Sequence, residues 1–259
     1  MKKKIRIIFI CLVIVLLSIC CMGSRCQGRQ TAPIEYGDFY YSIMTDEETG
    51  EQYVRLQGLT EQGQQKKYVI VPSEIDGINV RELNYQGGAW YFEGALISDN
   101  LEKIYIPTDV IVMSISFMHC PMLNKVVMLD KKGLEMYDDR EGIQVFIISD
   151  EYSLDDYGIT NFYKYIFPVN VYFANVSFMY NYDEAENNGY YWIDDLDYGT
   201  KIEYIPENPE REGYAFDGWY KEPECENIWN FETDTLPEQV LTGDGKEIYQ
   251  ETRLYAKWI

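Results

Sequence analysis

The stretch that decides how the C-terminal part of the chain folds is REGYAFDGWYKEPEC, residues 211–225. Four large aromatic residues, Tyr214, Phe216, Trp219 and Tyr220, lie within seven positions of it. Strand alternation would place Phe216 and Tyr220 on one face of an extended segment and Trp219 on the other. Such a set is either the core of a small domain or an exposed platform for a ligand such as a sugar. Trp219 is therefore a candidate ligand contact, and both interpretations stay open.

The residues around this stretch carry a family resemblance. From Tyr198 the chain reads YGTKIEYIPENPEREGYAFDGWYKEPECENIWNF, and it closes with LYAKWI. These ordered elements closely resemble the Listeria–Bacteroides repeat, the B-repeat of internalin-type proteins. The resemblance implies a small β-grasp-like domain over residues 169–259. The link LPEQVLTGDGKEIYQET is longer than is usual in that family, so we expect a loop insertion around Gly243–Gly245.

A recurring unit precedes this part of the chain. The segments EKIYIPTDVIVMSISF (102–117) and NKVVMLDKKGLEMYDD (124–139) align with an offset of 22, which sets Lys103 on Lys125. Spacings of about 19 to 35 residues between apolar runs are centred where leucine-rich repeats fall. Stacked units of this kind share a continuous strand ladder and core. Similar short runs are YVIVP (68–72), QVFIIS (144–149) and VNVYF (169–173).

Two of these segments resemble a known repeat family. YVIVPSEIDGINVREL (68–83) and NLEKIYIPTDVIVMSISFMHCPMLNKVVM (100–128) are similar to repeats of the BspA-like leucine-rich repeat family. The resemblance covers about residues 38–150 and implies a curved solenoid on a bacterial surface, in a family usually called adhesive or of unknown function. The turn-rich stretch Asp46–Gly50 predicts a hairpin that caps the array. The predicted ligand contacts are solvent-facing side chains on the strand face: Lys103, Tyr105, Lys125 and Val127.

The first 23 residues have the pattern of a secretory signal. Basic residues precede an apolar run of about 15 residues, which is short for a membrane-spanning helix. The sequence LSIC at 17–20 resembles the box before a lipidated cysteine, although an isoleucine stands where that box has a small residue. Lipidation at Cys20 or Cys21, ordinary cleavage near Gly23 and retention as an anchor all stay open.

Charge is divided unevenly along the chain. Six of the 22 basic residues lie in the first 30 positions, so 16 remain against all 43 acidic residues. A surface this acidic repels nucleic acid and anionic lipid. We therefore expect no nucleic-acid partner, and membrane contact only through the leader or a lipid anchor. Beyond the leader, Cys120 and Cys225 lie 105 positions apart, which favours free buried thiols over a disulfide framework.

The sequence contains few signals of catalysis. His119 is the single histidine, and its neighbour Cys120 predicts a structural thiol beside a solvent-facing ring, not a catalytic pair. One histidine and two distant cysteines cannot build a usual zinc site. Acidic clusters at 155–156, 183–186 and 194–197 could ligate calcium, but among 43 acidic residues they are better interpreted as solvated faces. We expect no catalytic residues, no metal and no cofactor.

The sequence thus predicts a mainly β protein with short helices, in which a leucine-rich-repeat solenoid is followed by a small β-grasp-like domain. The expected function is that of an exported, monomeric, non-catalytic binding or adhesion module at the cell envelope, which contacts a protein or a glycan. One alternative is a surface carbohydrate-active enzyme with an unrecognised carboxylate site. Another is a purely structural spacer. The predicted parts are a signal at 1–23, a linker at 24–37, the array at 38–168 and the last domain at 169–259.

Overall fold

Short strands dominate the computed structural model of the chain, and the protein is mainly β with little helix. The predicted leader and the predicted domain boundary between 168 and 169 lie outside the described residues. In the described part of the chain, no helix is long and apolar enough to cross a bilayer. The structure describes residues 33–83, 96–106, 113–115, 117, 119–129, 134–136, 143–148 and 170–259.

The described strands form three larger sheets and two strand pairs. A one-turn helix, α1 (Glu61–Gln64), follows the third strand, and a 3₁₀ helix spans Asn187–Gly189. The strands are β1 (Ile34–Tyr36), β2 (Phe39–Thr45), β3 (Gln52–Leu59), β4 (Tyr68–Ile70), β5 (Glu74–Ile75), β6 (Ile78–Leu83), β7 (Lys103–Ile106), β8 (Met113–Ile115), β9 (Lys125–Met128), β10 (Leu134–Met136), β11 (Gln144–Ile147), β12 (Asn170–Phe173), β13 (Val176–Met179), β14 (Tyr190–Asp194), β15 (Phe216–Tyr220), β16 (Val240–Leu241), β17 (Glu247–Ile248) and β18 (Thr252–Trp258). Their orders are β1-β2-β3-β6-β5, β12-β11-β9-β7-β4 and β14-β13-β18-β15, with the pairs β8-β10 and β16-β17.

The predicted N-terminal hairpin is confirmed. Strands β2 and β3 pair antiparallel over their length. Between them, the Asp46 carboxylate accepts backbone hydrogen bonds from Glu48 and Thr49, both at 2.9 Å. Gly50 closes the turn at φ +75°, a conformation that glycine adopts without steric cost. The turn chemistry therefore holds the two strands in register.

The second sheet is a parallel ladder of β4, β7, β9, β11 and β12, stacked in chain order. Its strands coincide with the apolar runs that the sequence marks, and β7 and β9 pair with the predicted offset of 22. Lys103 pairs with Lys125, and Tyr105 with Val127. On the opposite side of the same strands, the repeated apolar residues are almost completely buried: Val69, Ile104, Val126 and Val145. Repetition of one short apolar strand thus builds a continuous core.

In the third sheet, β13 and β18 pair in parallel at the centre, although they are the first and the last of its strands in the sequence. The outer strands β14 and β15 run antiparallel to them. In β15, Phe216 pairs with Trp258 and Trp219 pairs with Ala256. An advance of three residues along β15 therefore corresponds to only two residues along β18. The extra residue is a β-bulge next to Gly218, whose φ is +113°. The bulge breaks the simple alternation that the sequence predicts.

Because of the bulge, Trp219 turns into the core of this sheet. Its side chain is only 3% exposed, and its ring lies 5.2 Å from Phe216 and 4.9 Å from Phe178, centroid to centroid. The expectation that Trp219 could be a ligand platform is therefore wrong. The interpretation of these four aromatic residues as part of a domain core is right for Trp219 and Tyr220, both buried, whereas Tyr214 is 52% exposed.

Replacement of Trp219 by alanine tests this packing. We expect Trp219→Ala to lower the free energy of unfolding by about 3–5 kcal/mol, as is usual when a large buried aromatic side chain is removed. Tyr214→Ala removes an exposed ring of the same stretch and should lower it by less than about 1 kcal/mol. Urea denaturation followed by tryptophan fluorescence and by circular dichroism measures both. Equal losses in the two variants would contradict the assignment of Trp219 to the core.

Candidate functional site

The strand face that the sequence assigns to a ligand is covered by other parts of the same chain. Tyr105 and Val127 are only 3% and 2% exposed. The Tyr105 ring lies 5.1 Å from that of Trp192 on β14 and 5.8 Å from that of Tyr204. The expectation that these side chains face solvent is therefore wrong, because the C-terminal part of the chain packs against this face. Whether they contact any ligand is untested.

The two lysines predicted on that face are bound to carboxylates. Lys103 Nζ lies 2.7 Å from Asp194 Oδ1 and donates a second hydrogen bond to the backbone oxygen of Asp195. Tyr105 donates its hydroxyl proton to Asp194 Oδ2 at 2.8 Å. Both carboxylate oxygens of Asp194, whose side chain is 2% exposed, are therefore bonded. Lys103 does not face solvent freely, contrary to expectation.

One rung along the ladder the arrangement repeats. Lys125 Nζ lies 2.7 Å from Asp195 Oδ2, and the two side chains are 25% and 17% exposed. Burial raises the pKa of the Asp195 carboxyl, and the hydrogen bond from Lys125 opposes that rise. The 22-residue offset sets Lys103 and Lys125 side by side on adjacent strands, where two successive aspartates meet one lysine each. We call Asp194 and Asp195 the carboxylate pair. The prediction of a solvated face at 194–197 is wrong for this pair.

The other residues considered for chemistry lie apart from this region. His119 is exposed and Cys120 is buried, as predicted, and Cys225 is a half-buried free thiol. The acidic side chains at 183–186 are exposed, as predicted, whereas 155–156 lies outside the described residues. Among the residues that the structure describes, no group of three or more histidine, cysteine or acidic side chains is placed to hold a metal ion.

An open cleft of about 740 Å³ lies beside the carboxylate pair. Its lining comes from the last two rungs of the ladder, from the loop that follows β14, and from the segment that carries β16 and β17. The cleft has the size of a small-molecule or oligomer site. The lining residues are Gln144, Phe146, Tyr172, Phe173, Asn175, Asp195, Leu196, Asp197, Tyr198, Gln239, Glu247 and Tyr249.

Three of the aromatic residues that line the cleft are exposed. Tyr172, Phe173 and Tyr249 are each 44–46% exposed. Tyr172 stacks on the buried ring of Phe146 at 5.6 Å, and Phe173 meets Tyr249 edge to face at 6.2 Å. Paired rings of this kind are held in place by their neighbours and still offer a face to a ligand.

Hydrogen bonds to the backbone fix the polar part of the lining. The buried Asn175 amide donates to the backbone oxygen of Leu196 at 2.7 Å and accepts from its N–H at 3.0 Å. The Tyr198 hydroxyl accepts from the N–H of Gln250 at 2.9 Å, and Tyr249 donates its hydroxyl proton to the carbonyl of Ala174 at 2.7 Å. These bonds fix the loop after β14 and the segment around Tyr249 against the end of the ladder.

The insertion expected around Gly243–Gly245 is a short hairpin and not an irregular loop. Val240 pairs with Ile248, and the turn closes through a 2.7 Å hydrogen bond from Thr242 N–H to the Lys246 carbonyl. Gly245 lies at φ +81° in that turn. We call residues 239–249 the inserted hairpin. It contributes three residues to the cleft, and Gln239 donates to the Glu247 carboxylate at 2.9 Å.

The cleft residues were not identified as a site from the sequence. Two signals in the sequence pointed towards them: the adjacent aromatic residues Tyr172 and Phe173 in the last apolar run, and the unusual length of the link that holds Glu247 and Tyr249. Neither signal indicates that the two segments meet, because that meeting depends on how the ladder and the last sheet pack together.

Comparisons with known proteins support the C-terminal resemblance. Residues 175–257 match the family model of the Listeria-Bacteroides repeat domain. Two relatives from Evansella cellulosilytica are similar to parts of the chain. One, named "Putative membrane protein", is 36% identical over 76 residues, which are 28% of this chain and 9% of the relative. The other, named "Putative Gly-rich membrane protein", is 36% identical over 93 residues, which are 35% of this chain and 8% of the relative.

This chain therefore spans less than a tenth of the length of either relative. No solved structure matches it. The similarity to the BspA-like family over about residues 38–150 stays a prediction.

Removal of the Asp194 carboxylate tests the buried ion pair. We expect Asp194→Ala to lower the free energy of unfolding by about 3–5 kcal/mol, because the Lys103 ammonium loses its counter-charge and the buried Tyr105 hydroxyl loses its acceptor. Glu102→Ala breaks the exposed pair with Lys67 on the same ladder and should change it by less than about 1 kcal/mol. Urea denaturation at neutral pH measures both variants. A loss as small for Asp194→Ala as for Glu102→Ala would show that the buried pair contributes little.

The tyrosine cluster around Tyr105 predicts a loss of stability in alkali. Burial, together with the charge of Glu207, raises the pKa of Tyr204 to about 12, whereas the pKa of a tyrosine in an unfolded chain is about 10. The folded state therefore keeps a proton that the unfolded state loses, so the free energy of unfolding falls as pH rises from about 10 towards 12.

Tyr204→Phe should make that fall shallower and should run parallel to the parent protein below about pH 9. Urea denaturation at a series of pH values measures the difference. Tyr214→Phe, at an exposed ring, is the control and should follow the parent curve throughout. A Tyr204→Phe curve that superimposes on that of the parent above pH 10 would contradict the role of this residue.

Proposed function

We propose that this protein is an exported bacterial cell-envelope protein that acts as a non-catalytic binding or adhesion module and holds a protein or a glycan in the cleft. The observation that carries the proposal is a preformed cleft of about 740 Å³ with three exposed aromatic side chains and fixed polar groups. Concave sites with aromatic walls and a few placed hydrogen-bonding groups are the usual form of ligand sites.

The fold is proposed in finer terms on the same basis. Five parallel strands stacked in chain order, with one apolar residue repeated at each rung, support a leucine-rich-repeat solenoid over 38–168. A four-stranded sheet with parallel central strands and an extended crossover between β14 and β15 supports a β-grasp-like domain over 169–259. In this arrangement the two parts together form the cleft, so neither would bind the ligand alone.

The envelope location rests on two lines of support. The first 23 residues have the pattern of a secretory or lipoprotein signal. Both relatives are named as membrane proteins. The net charge of −21 would keep such an exported protein soluble. Lipidation at Cys20 is one of the anchoring routes that this proposal includes.

One observation favours an enzyme as the second candidate. Asp195 and Asp197 both line the cleft, and burial raises the pKa of Asp195, as in many catalytic acids. Asp195 is however bonded to Lys125, so we favour binding without catalysis. Reducing ends released from a bound glycan, and no longer released by Asp197→Asn, would support the enzyme. The exposed rings of the cleft count against a purely structural spacer.

Substitution of an aromatic side chain of the cleft tests the proposed function. The protein, produced with its own leader and recovered from the envelope or the medium, is applied to a glycan array and a protein array. We expect binding to at least one class of probe, weakened at least about tenfold by Tyr172→Ala, because a central aromatic contact contributes more than about 1.4 kcal/mol.

Tyr214→Ala is the matched control, since it removes a similarly exposed tyrosine, 52% against 44% for Tyr172, that does not line the cleft. It should leave binding unchanged. Absence of binding to every probe, or binding that Tyr172→Ala and Tyr249→Ala leave intact, would refute the assignment of the cleft.

A further inference from the structure

The polar lining of the cleft is acidic. Three of its residues are carboxylates, Asp195, Asp197 and Glu247, and its described lining contains no lysine, arginine or histidine. Lys125 approaches from the ladder but is bonded to Asp195, which it neutralises. The remaining charge of the cleft is therefore that of Asp197 and Glu247.

These two carboxylates are free to meet a ligand. Both side chains belong to exposed residues, Asp197 in the loop after β14 and Glu247 on the inserted hairpin. Glu247 accepts one hydrogen bond from the neutral amide of Gln239, on Oε2. Within the described residues, no ion pair joins either carboxylate to a lysine or an arginine. A carboxylate that forms no ion pair within the protein can instead pair with a positively charged group of a ligand.

The aromatic side chains narrow the class of ligand further. Tyr172, Phe173 and Tyr249 present ring surface at the same cleft. Aromatic faces attract the apolar C–H face of a sugar ring, and they also attract positive charge. The amides of Gln144 and Gln239 offer a donor and an acceptor each, which suits hydroxyl groups. Ring faces, hydroxyl partners and negative charge together match a sugar ring that carries a protonated amine.

The charge of the whole chain acts in the same direction. A net charge of −21 repels anionic polymers at long range and attracts cationic ones. Uronic-acid and phosphate-bearing glycans are disfavoured both by this field and by the lining of the cleft.

The geometry points to a glycan with free, protonated amino groups as the ligand of the cleft, held by ring stacking on Tyr172, Phe173 and Tyr249 and by ion pairs with Asp197 and Glu247. This inference rests on the proposed function, because it requires that the cleft holds a ligand. It goes further by naming the chemical class of that ligand and the two side chains that select it.

Titration calorimetry with two probes of equal length tests the inference. One probe is a fully deacetylated glucosamine oligomer and the other is its fully N-acetylated counterpart, both at mildly acidic pH. We expect the deacetylated oligomer to bind at least about tenfold more tightly at low salt, and the difference to shrink as salt is added. Asp197→Asn and Glu247→Gln should each reduce the preference by about two- to fivefold, the contribution of one exposed ion pair.

Glu212→Gln is the matched control. It removes one negative charge at an exposed position that does not line the cleft. It should leave the preference unchanged if the cleft selects the amine. A reduction equal to that of Asp197→Asn would mean that overall charge alone attracts the oligomer, which would overturn the inference.

The remaining outcomes separate this inference from the proposed function. Equal binding of the two oligomers, unaffected by Asp197→Asn and Glu247→Gln, would overturn the preference for amines and leave the cleft as a ligand site. A lysine-rich peptide with the same charge as the deacetylated oligomer serves as a third probe. If it binds more tightly than that oligomer, the ligand is a protein and the assignment of a glycan is overturned. Failure of both oligomers while another array probe binds in a Tyr172-dependent manner would overturn only the ligand class. Failure of every probe would refute the proposed function itself.

Discussion

The contact between the ladder and the last sheet is held by the bonds that Asp194 makes across the chain. Its carboxylate accepts hydrogen bonds from the Lys103 ammonium and the Tyr105 hydroxyl, and its side chain is 2% exposed. A charge buried to this degree persists only where both oxygens are satisfied. Asp195 repeats the contact with Lys125 on the next strand. The strand face that carries Tyr105 and Val127 is consequently covered. The rings of Tyr172 and Phe173, on the last strand of the ladder, are exposed.

The sequence was sufficient to predict how the strands stack, but not what covers them. The 22-residue offset predicts the pairing of Lys103 with Lys125 because neighbouring repeats carry the same apolar pattern. Nothing in that pattern distinguishes a lysine in water from a lysine bonded to an aspartate 91 positions later. Lysine and aspartate are usually exposed, so the sequence predicts that both face solvent. Both errors have a single cause, since the residues assigned to solvent bind one another.

The same limit applies to the two aromatic regions. Trp219 and Phe216 share a face only because a bulge next to Gly218 adds one residue to β15. A glycine inside a predicted strand is the local signal for such a bulge, and here it outweighs simple alternation. Tyr172 and Tyr249 were visible in the sequence as aromatic residues, but their shared cleft arises from the packing of segments 77 residues apart. Local pattern predicts the strands, whereas long-range packing creates the site.

The exposure of the inserted hairpin has a consequence for which changes the fold tolerates. Val240, Leu241 and Ile248 are 41–53% exposed, so this segment adds little to either core. Substitution, lengthening or exchange of the hairpin would therefore alter the cleft at small cost in stability, because surface changes of this kind are usually tolerated. Ladder and sheet carry the buried packing around the cleft, and the hairpin is the part of its lining that can be exchanged without disturbing either core.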